Sequence, residues 1–447
     1  MMAADSAMVP DRRAVPWGLF LFLHLVFFFA NLDPERVPFP VAQAATVEAI
    51  EQSQEQGMLG RRIAFTLLGA VAIVALARGE ARKLRATSVL GMLMVAFLIW
   101  SLLSVGWAED VLFTGKKLVS FGLLWAGALW CAVRLSTRDV LLFAFLSNIL
   151  TWLASLAIEI GYGVFTPWAG GYRFAGLYHP NESGQCLGVA VLSGLVLFYE
   201  ARGRIAAGYL LAASAAAGFL LLTGSRTALL CTLLAVAATL VIAEVGRKRL
   251  RGLVAVVAVL GVALLACYLF LGVDWAQTVV GVLSTGRDDS DLTTLTLRTP
   301  MWKELVDNYI TERPLTGYGY GGFWTTRHVL ALSLLQRGTV YYHSHSGYLE
   351  MALSIGVVGA VVHVLTLVMT LGRSVARGVA GSLVEAFGAG VLIMLMIGMG
   401  AEPVNMSAYL MPTFLAMILV AKHAFLGHKA PVAERSRVIW SRAGQVA

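Results

Sequence analysis

Tyr341-Tyr342-His343-Ser344-His345-Ser346-Gly347-Tyr348-Leu349-Glu350-Met351-Ala352-Leu353-Ser354-Ile355-Gly356-Val357-Val358-Gly359 begins polar and aromatic and ends as an apolar helix. It holds two of the eight histidines of the chain. If the apolar part crosses a bilayer, His345 stands at the membrane–water boundary, with Tyr348 and Leu349 one turn on. A water-soluble group can act there on a lipid-borne substrate. Ala352, Gly356 and Ala360 recur at four-residue spacing, a stripe against which a second helix can pack closely. A lone histidine at a helix start is also an ordinary interfacial residue, so the rest of the chain decides what this stretch is.

Composition sets the class. The 447 residues are 58% hydrophobic and 13% charged, where soluble domains carry about 25% charged residues. Such a chain cannot present its surface to water. It reads as an all-α polytopic membrane protein, a single membrane domain over residues 1–447. Twelve apolar segments lie near 15–31, 62–78, 88–107, 118–134, 139–160, 183–200, 205–223, 227–245, 252–272, 345–372, 382–401 and 405–426. Each is expected to be helical, because a helix satisfies its own backbone in lipid, and the runs are too long and continuous for barrel strands. The run Trp17 to Ala30 follows Arg12 and Arg13 but lacks a small-residue cleavage site, so it is expected to be a retained first span. Cys131, Cys186, Cys231 and Cys267 fall in or beside apolar segments without metal-like spacing and read as small core hydrophobes.

Charge gives the topology. Alternate connections carry Arg78, Arg82, Lys83 and Arg85; Arg134 and Arg138; Arg202 and Arg204; Arg247, Lys248, Arg249 and Arg251; Arg373 and Arg377. The C-terminal tail adds Lys422, Lys429, Arg435, Arg437 and Arg442. By the positive-inside rule these share the cytoplasmic side, which puts both termini there and explains the net charge of +8 without nucleic acid. Arg61, Arg62, Lys116 and Lys117 are the exceptions on the acidic side.

Three connections then face outward: one near 161–182, the turn Thr223-Gly224-Ser225-Arg226-Thr227, and a long loop over 273–344 between the ninth and tenth spans. In the long loop, Thr299 as N-cap and Pro300 at the first helical position predict a helix start. Trp302, Leu305, Val306, Tyr309 and Ile310 share its apolar face, and Pro314 and Gly317 end it. The aromatic, glycine-rich run Gly317 to Trp324 suits either a sugar cleft or a plain connector. Asp288, Asp289 and Asp291 read as a solvated acidic turn rather than a metal site. His24 and His363 fall deep in apolar spans and read as packed polar residues.

Arg173, Arg226 and Arg298 on the outward side, with His345, make a set of fixed positive charges around one titratable base. Arginine grips phosphate with a bidentate fork, and histidine accepts a proton near neutral pH. The pairing suits attack by a hydroxyl on a carbon that bears a diphosphate leaving group. Each arginine, taken alone, also reads as a snorkelling or solvated charge.

Four ordered motifs resemble the O-antigen ligases, within the superfamily that includes O-antigen polymerases and protein O-glycosyltransferases. They are Arg173-Phe-Ala-Gly-Leu-Tyr-His-Pro-Asn181; Gly224-Ser-Arg226-Thr; Arg298-Thr-Pro-Met-Trp302 running on to Pro314-Leu-Thr-Gly317-Tyr-Gly319-Tyr-Gly321; and His345-Ser-Gly-Tyr348-Leu349 with Gly356 and Gly359. Ser346, where the family usually shows Asn, and Ser354, where an acidic residue is common, depart from the pattern. The resemblance implies a GT-C-like glycosyltransferase of a bacterial inner membrane, with a periplasmic site and no cofactor or metal. It implies an undecaprenyl-diphosphate-linked glycan donor and a lipid A-core acceptor, both presented among membrane lipids. His345 would be the general base, Arg226 and Arg298 would grip the diphosphate, and Arg173, Asn181, His343, Tyr348 and Trp302 would contact substrate. A polymerase or protein O-oligosaccharyltransferase is the alternative within the superfamily. A secondary transporter is the alternative outside it, although polar residues gathered at one rim rather than at the midplane fit it poorly.

Overall fold

The structure, a computed structural model, describes residues 15–32, 59–246, 293–335, 341–403 and 410–426. Its helices are α1 Trp17–Asn31, α2 Leu59–Ala77, α3 Val89–Leu103, α4 Val111–Arg134, α5 Thr137–Gly161, α6 Pro180–Glu200, α7 Gly203–Leu222, α8 Arg226–Gly246, α9 Thr293–Glu304, α10 Thr326–Leu335, α11 Gly347–Val379, α12 Leu383–Gly398 and α13 Met411–Phe425. Among the described residues eight helices are long and apolar enough to cross a membrane, and α1, α12 and α13 are shorter apolar helices. These eleven correspond to eleven of the twelve segments read from the sequence. The segment 252–272 lies outside the described residues, as do Cys267, Asp288, Asp289 and Asp291.

Local chemistry starts the helices where they start. Ser88, Asp110, Ser136 and Ser382 accept from the backbone N–H groups of Gly91, Phe113, Asp139 and Glu385. Each cap satisfies one of the N–H groups that a first turn leaves without an intrahelical partner. His179 caps α6, with Pro180 as its first residue. As a result α4 and α6 begin earlier than hydropathy suggests. Lys116, Lys117, Asn181 and Glu182 belong to the opening turns of helices rather than to loops. Polar residues in a first turn defeat a hydropathy boundary because caps, not lipid, fix the helix start.

α13 and α6 form the centre. α13 is buried along nearly its whole length, and 78% of the apolar window of α6 is buried against 22% for α7, so α7 faces lipid and α6 does not. A helix that is apolar all round belongs inside. Leu21, Ile63, Leu67, Ile99, Leu211 and Leu233 are exposed on the outer helices, where an apolar surface is matched by lipid tails. The free cysteines Cys131, Cys186 and Cys231 are buried, as expected of small core residues. At one end of the bundle basic side chains are tied to neighbouring backbone and carboxylates: Lys422 donates to the Ala132 carbonyl at 3.1 Å, Arg377 to Glu385 at 3.2 Å, and Arg134 pairs with Glu80. The candidate site lies at the other end.

Two expectations are corrected. Pro300 is not a helix start; it lies inside α9, which runs from Thr293 and passes into a π-helical turn, Leu305–Ile310. An interior proline forfeits one backbone bond at about 3 kcal/mol, a cost that tertiary packing outweighs here: Met301 and Leu305 are fully buried against Tyr318, Phe323 and Leu353. The wider π turn also shifts the apolar face, leaving Val306 exposed.

The second correction concerns α11. The helix breaks at Ile355 and Gly356, and Gly356 has φ 68°. Leu353 and Val357, which a continuous helix would bond to each other, bond instead to an earlier segment. The Leu353 carbonyl accepts from Tyr318 N, and Val357 N donates to the Pro314 carbonyl, both at 2.8 Å. Trp100 Nε1 donates to the Ile355 carbonyl at 2.9 Å. A Cβ at Gly356 would collide with the Leu315 backbone. Gly356 therefore admits a loop at a left-handed kink, not a neighbouring helix on a small-residue stripe. Helix α3 packs one turn further on, where Trp100 meets Gly359.

Candidate active site

His345 is the one non-glycine residue with positive φ among the described residues, at 53°. A left-handed histidine is strained unless its surroundings hold it. Here the loop is pinned from three directions. Trp302 Nε1 donates to the Ser344 carbonyl at 2.6 Å. Ser344 N donates to the buried carboxylate of Glu350, which also accepts from Trp324 Nε1 at 3.0 Å. Ser346, the N-cap of α11, donates to the Met399 carbonyl at 3.3 Å. One turn on, the Tyr348 hydroxyl donates to the Met396 carbonyl at 2.7 Å, fixing α11 to α12.

The His345 ring faces Glu402. Nδ1 lies 3.6 Å from Oε2, longer than a hydrogen bond, so the contact is electrostatic in this geometry. Glu402 Oε1 accepts from Asn181 Nδ2 at 2.8 Å and lies 3.4 Å from Arg298. Arg298 also donates to the Ala401 carbonyl at 2.8 Å. Asn181 Oδ1 accepts from Arg173 at 2.8 Å, and Arg173 Nε donates to the Thr223 carbonyl at 2.7 Å. Burial alone would raise the Glu402 carboxyl, but the His345 contact and the Arg298 charge outweigh it and hold Glu402 below the usual carboxylate range.

Arg173 is held by a clamp of its own. The Glu159 carboxylate, buried at the end of α5, accepts from Ala175 N and Gly176 N, each at 2.8 Å, and from the Tyr172 hydroxyl. Arg226 opens α8, three residues after the Thr223 carbonyl that Arg173 binds. His343 stacks edge-on to His345, with ring centroids 4.1 Å apart, and its Nδ1 accepts from His345 N at 3.3 Å. Burial first, then the neighbouring His345, pushes His343 down to about 3, so it stays neutral at physiological pH.

The structure thus brings Arg173, Asn181, Arg298, His343 and His345 into one network and sets Arg226 at its edge. Trp302 and Tyr348 fasten the frame that carries His345. Glu402, Glu350 and Glu159 were not singled out as site residues from the sequence. Glu350 carried a usable signal, a carboxylate inside an otherwise apolar helix, which must find partners. It stands one helical turn before Ser354, whose hydroxyl accepts from Gly321 N at 3.2 Å. Glu402 looked like an ordinary outer-side charge after an apolar run. Among the described residues no group of three or more His, Cys, Asp or Glu is arranged to hold a metal ion.

Residues 210–364 match the family model for O-antigen ligase. Over this region the chain is similar to the O-antigen ligases. The O-antigen ligase match takes in Arg226, Arg298, His343, His345 and Tyr348, and its partners Arg173, Asn181 and Glu402 reach the same site from outside it. No curated protein matches the chain. The apolar helices together with this similarity indicate a multi-pass membrane protein.

Proposed function

We propose that the protein transfers an O-antigen glycan from undecaprenyl diphosphate to lipid A-core, at the periplasmic face of a bacterial inner membrane. The observation that carries this reading is the Glu402 carboxylate, which faces His345 Nδ1 at 3.6 Å while also holding Asn181 and Arg298. With Nδ1 turned to Glu402, Nε2 is the nitrogen left to take a proton. The acceptor hydroxyl oxygen attacks the anomeric carbon, its proton passes to Nε2, and the bond from that carbon to the diphosphate oxygen breaks. Glu402 steadies the imidazolium, and Arg226 and Arg298 receive the negative charge of the departing diphosphate. A positioned base contributes roughly 10²–10⁴-fold in rate.

The test offers purified protein a polyprenyl-diphosphate glycan with and without lipid A-core. The expected result is glycan on lipid A-core, with no chain growth when lipid A-core is left out. Elongation of the polyprenyl-linked glycan with no lipid A-core product would overturn the ligase reading in favour of a polymerase.

A further inference from the structure

Ser344, immediately before the left-handed His345, has each of its polar groups engaged. Its hydroxyl donates to the Ser346 carbonyl at 2.8 Å and accepts from Ser346 N at 3.2 Å, which closes a tight turn with His345 at the tip. Its carbonyl accepts from Trp302 Nε1, and its N–H is taken by the Glu350 carboxylate. We propose that Glu350 is a positioning residue for the transfer reaction: by holding Ser344 it holds the His345 ring where the proton of the acceptor hydroxyl can reach it. The inference rests on His345 being the base, as the proposed function has it, and names what keeps that base in place.

Three observations carry it. First, the carboxylate does not serve the start of its own helix. Ser346 is the N-cap of α11, and its hydroxyl accepts from Leu349 N. A glutamate that completes a helix cap sits at the third helical position and bonds the N–H of the cap residue itself. Glu350 is the fourth residue of α11 and reaches back past the cap to Ser344, two residues before it.

Second, Glu350 is placed to act through other groups. It is 4% exposed, in a helix that is apolar beyond its first turn, where a carboxylate has to find partners. Its oxygens accept from Ser344 N and from Trp324 Nε1, the latter at 3.0 Å from each. With both oxygens so engaged it is no rival to His345 as the base. Trp324 ends the aromatic run Gly317 to Trp324, which is fastened along α11 by Tyr318 N to the Leu353 carbonyl and by Gly321 N to the Ser354 hydroxyl. One carboxylate therefore joins that run to the turn that carries His345.

Third, the turn needs holding. His345 has φ 53°, a conformation that persists in a non-glycine residue only where its surroundings impose it. A reacting group misplaced by about 1 Å loses on the order of 10²-fold in rate, so a loosened turn is felt in turnover before it is felt in substrate binding.

The test uses full-length protein in nanodiscs, with Glu350→Gln and Trp324→Phe. Gln keeps the size of the side chain but turns one acceptor oxygen into an N–H donor that faces other donors. Amide hydrogen exchange over residues 341–346, followed by mass spectrometry, is expected to run about tenfold faster or more in Glu350→Gln. In the same variant kcat is expected to fall roughly 10–100-fold with donor KM unchanged. Trp324→Phe leaves the Ser344 bond in place and should move both readings the same way by less. Unchanged exchange in Glu350→Gln overturns the proposal, because the carboxylate then does not hold the turn. Faster exchange with an unchanged kcat overturns it too, and so does a raised donor KM at full kcat, which would put Glu350 in donor binding. If Glu350→Gln does not accumulate, Trp324→Phe decides on the same readings, and unchanged exchange and kcat there overturn the proposal. Absence of transfer by the unaltered protein is a failure of the proposed function itself; normal turnover in the variants is a failure of the positioning role alone.

Discussion

The Asn181 amide and the Glu402 carboxylate meet at 2.8 Å across 221 positions of sequence. This bond joins the first turn of α6 to the end of α12 and makes Glu402 common to an arginine, an amide and a histidine. Losing a hydrogen bond to a charged group costs about 1.5–3 kcal/mol, or roughly 10–150-fold in rate if it acts only in the transition state. Glu402→Gln is expected to lower kcat in that range with little change in donor KM. Asn181→Ala should lower it less, because Arg298 and His345 still face the carboxylate. An unchanged kcat for Glu402→Gln would reduce Glu402 to a structural strut.

His345→Ala is expected to abolish transfer, a loss of roughly 10²–10⁴-fold, while the protein still inserts and accumulates. His343→Ala should do less damage, because His343 is neutral and its ring nitrogen is engaged by the His345 backbone. Steady-state kinetics on the two purified variants decides it: an inactive His343→Ala beside an active His345→Ala reverses the assignment.

Arg226→Lys and Arg298→Lys keep the charge and lose the planar fork. Turnover is expected to fall more than tenfold for each, at unchanged protein level. Full activity in both Lys variants would leave these arginines as surface charges rather than diphosphate ligands.

Stability should fall with acid. His343 has its pKa pushed from 6.5 down to about 3 in the folded protein. Above pH 6.5 neither state holds the proton. Between 6.5 and about 3 the unfolded state takes it and the folded state does not, so stability drains away as pH falls through that window. Glu402, also held below its ordinary value of 4.5, adds a loss of the same sign at the lower end. Thermal denaturation from pH 8 to pH 4 should show a declining Tm, and His343→Gln should flatten the decline that begins near 6.5. An identical slope in the variant would show that other groups set it.

The membrane orientation can be read by labelling. Trp168 is 81% exposed and Leu315 63% exposed at the site end, and Arg204 is exposed at the opposite end. In a cysteine-free background, Trp168→Cys and Leu315→Cys should react with an impermeant maleimide from outside intact cells. Arg204→Cys should react only after permeabilisation. Labelling of the Arg204 position in intact cells would turn the site to the cytoplasm.

The helices were legible because apolar runs of bilayer length leave the backbone few options. His345 and Arg226 drew attention because each stands where an apolar run meets a polar one, and Arg298 because it precedes Thr299-Pro300. Glu402 did not, because its partners lie at Asn181 and Arg298, 221 and 104 residues away. Pro300 misled because local rules put proline at a helix start, while burial of Met301 and Leu305 carries α9 through it. Gly356 misled in the same way: four-residue spacing cannot tell a close helix from a kink filled by a loop.

The kink at Ile355–Gly356 also bears on biogenesis. The Leu353 carbonyl and the Val357 N–H find their partners only in residues 314–318, which leave the ribosome before α11 does. Until that segment docks, α11 carries unsatisfied backbone groups at a depth where lipid offers none in return. Docking is therefore a late checkpoint in maturation, and it also locks the segment that carries His345. A chain in which residues 314–318 have not docked is expected to keep an open break in α11 and to be cut faster by protease than the docked form.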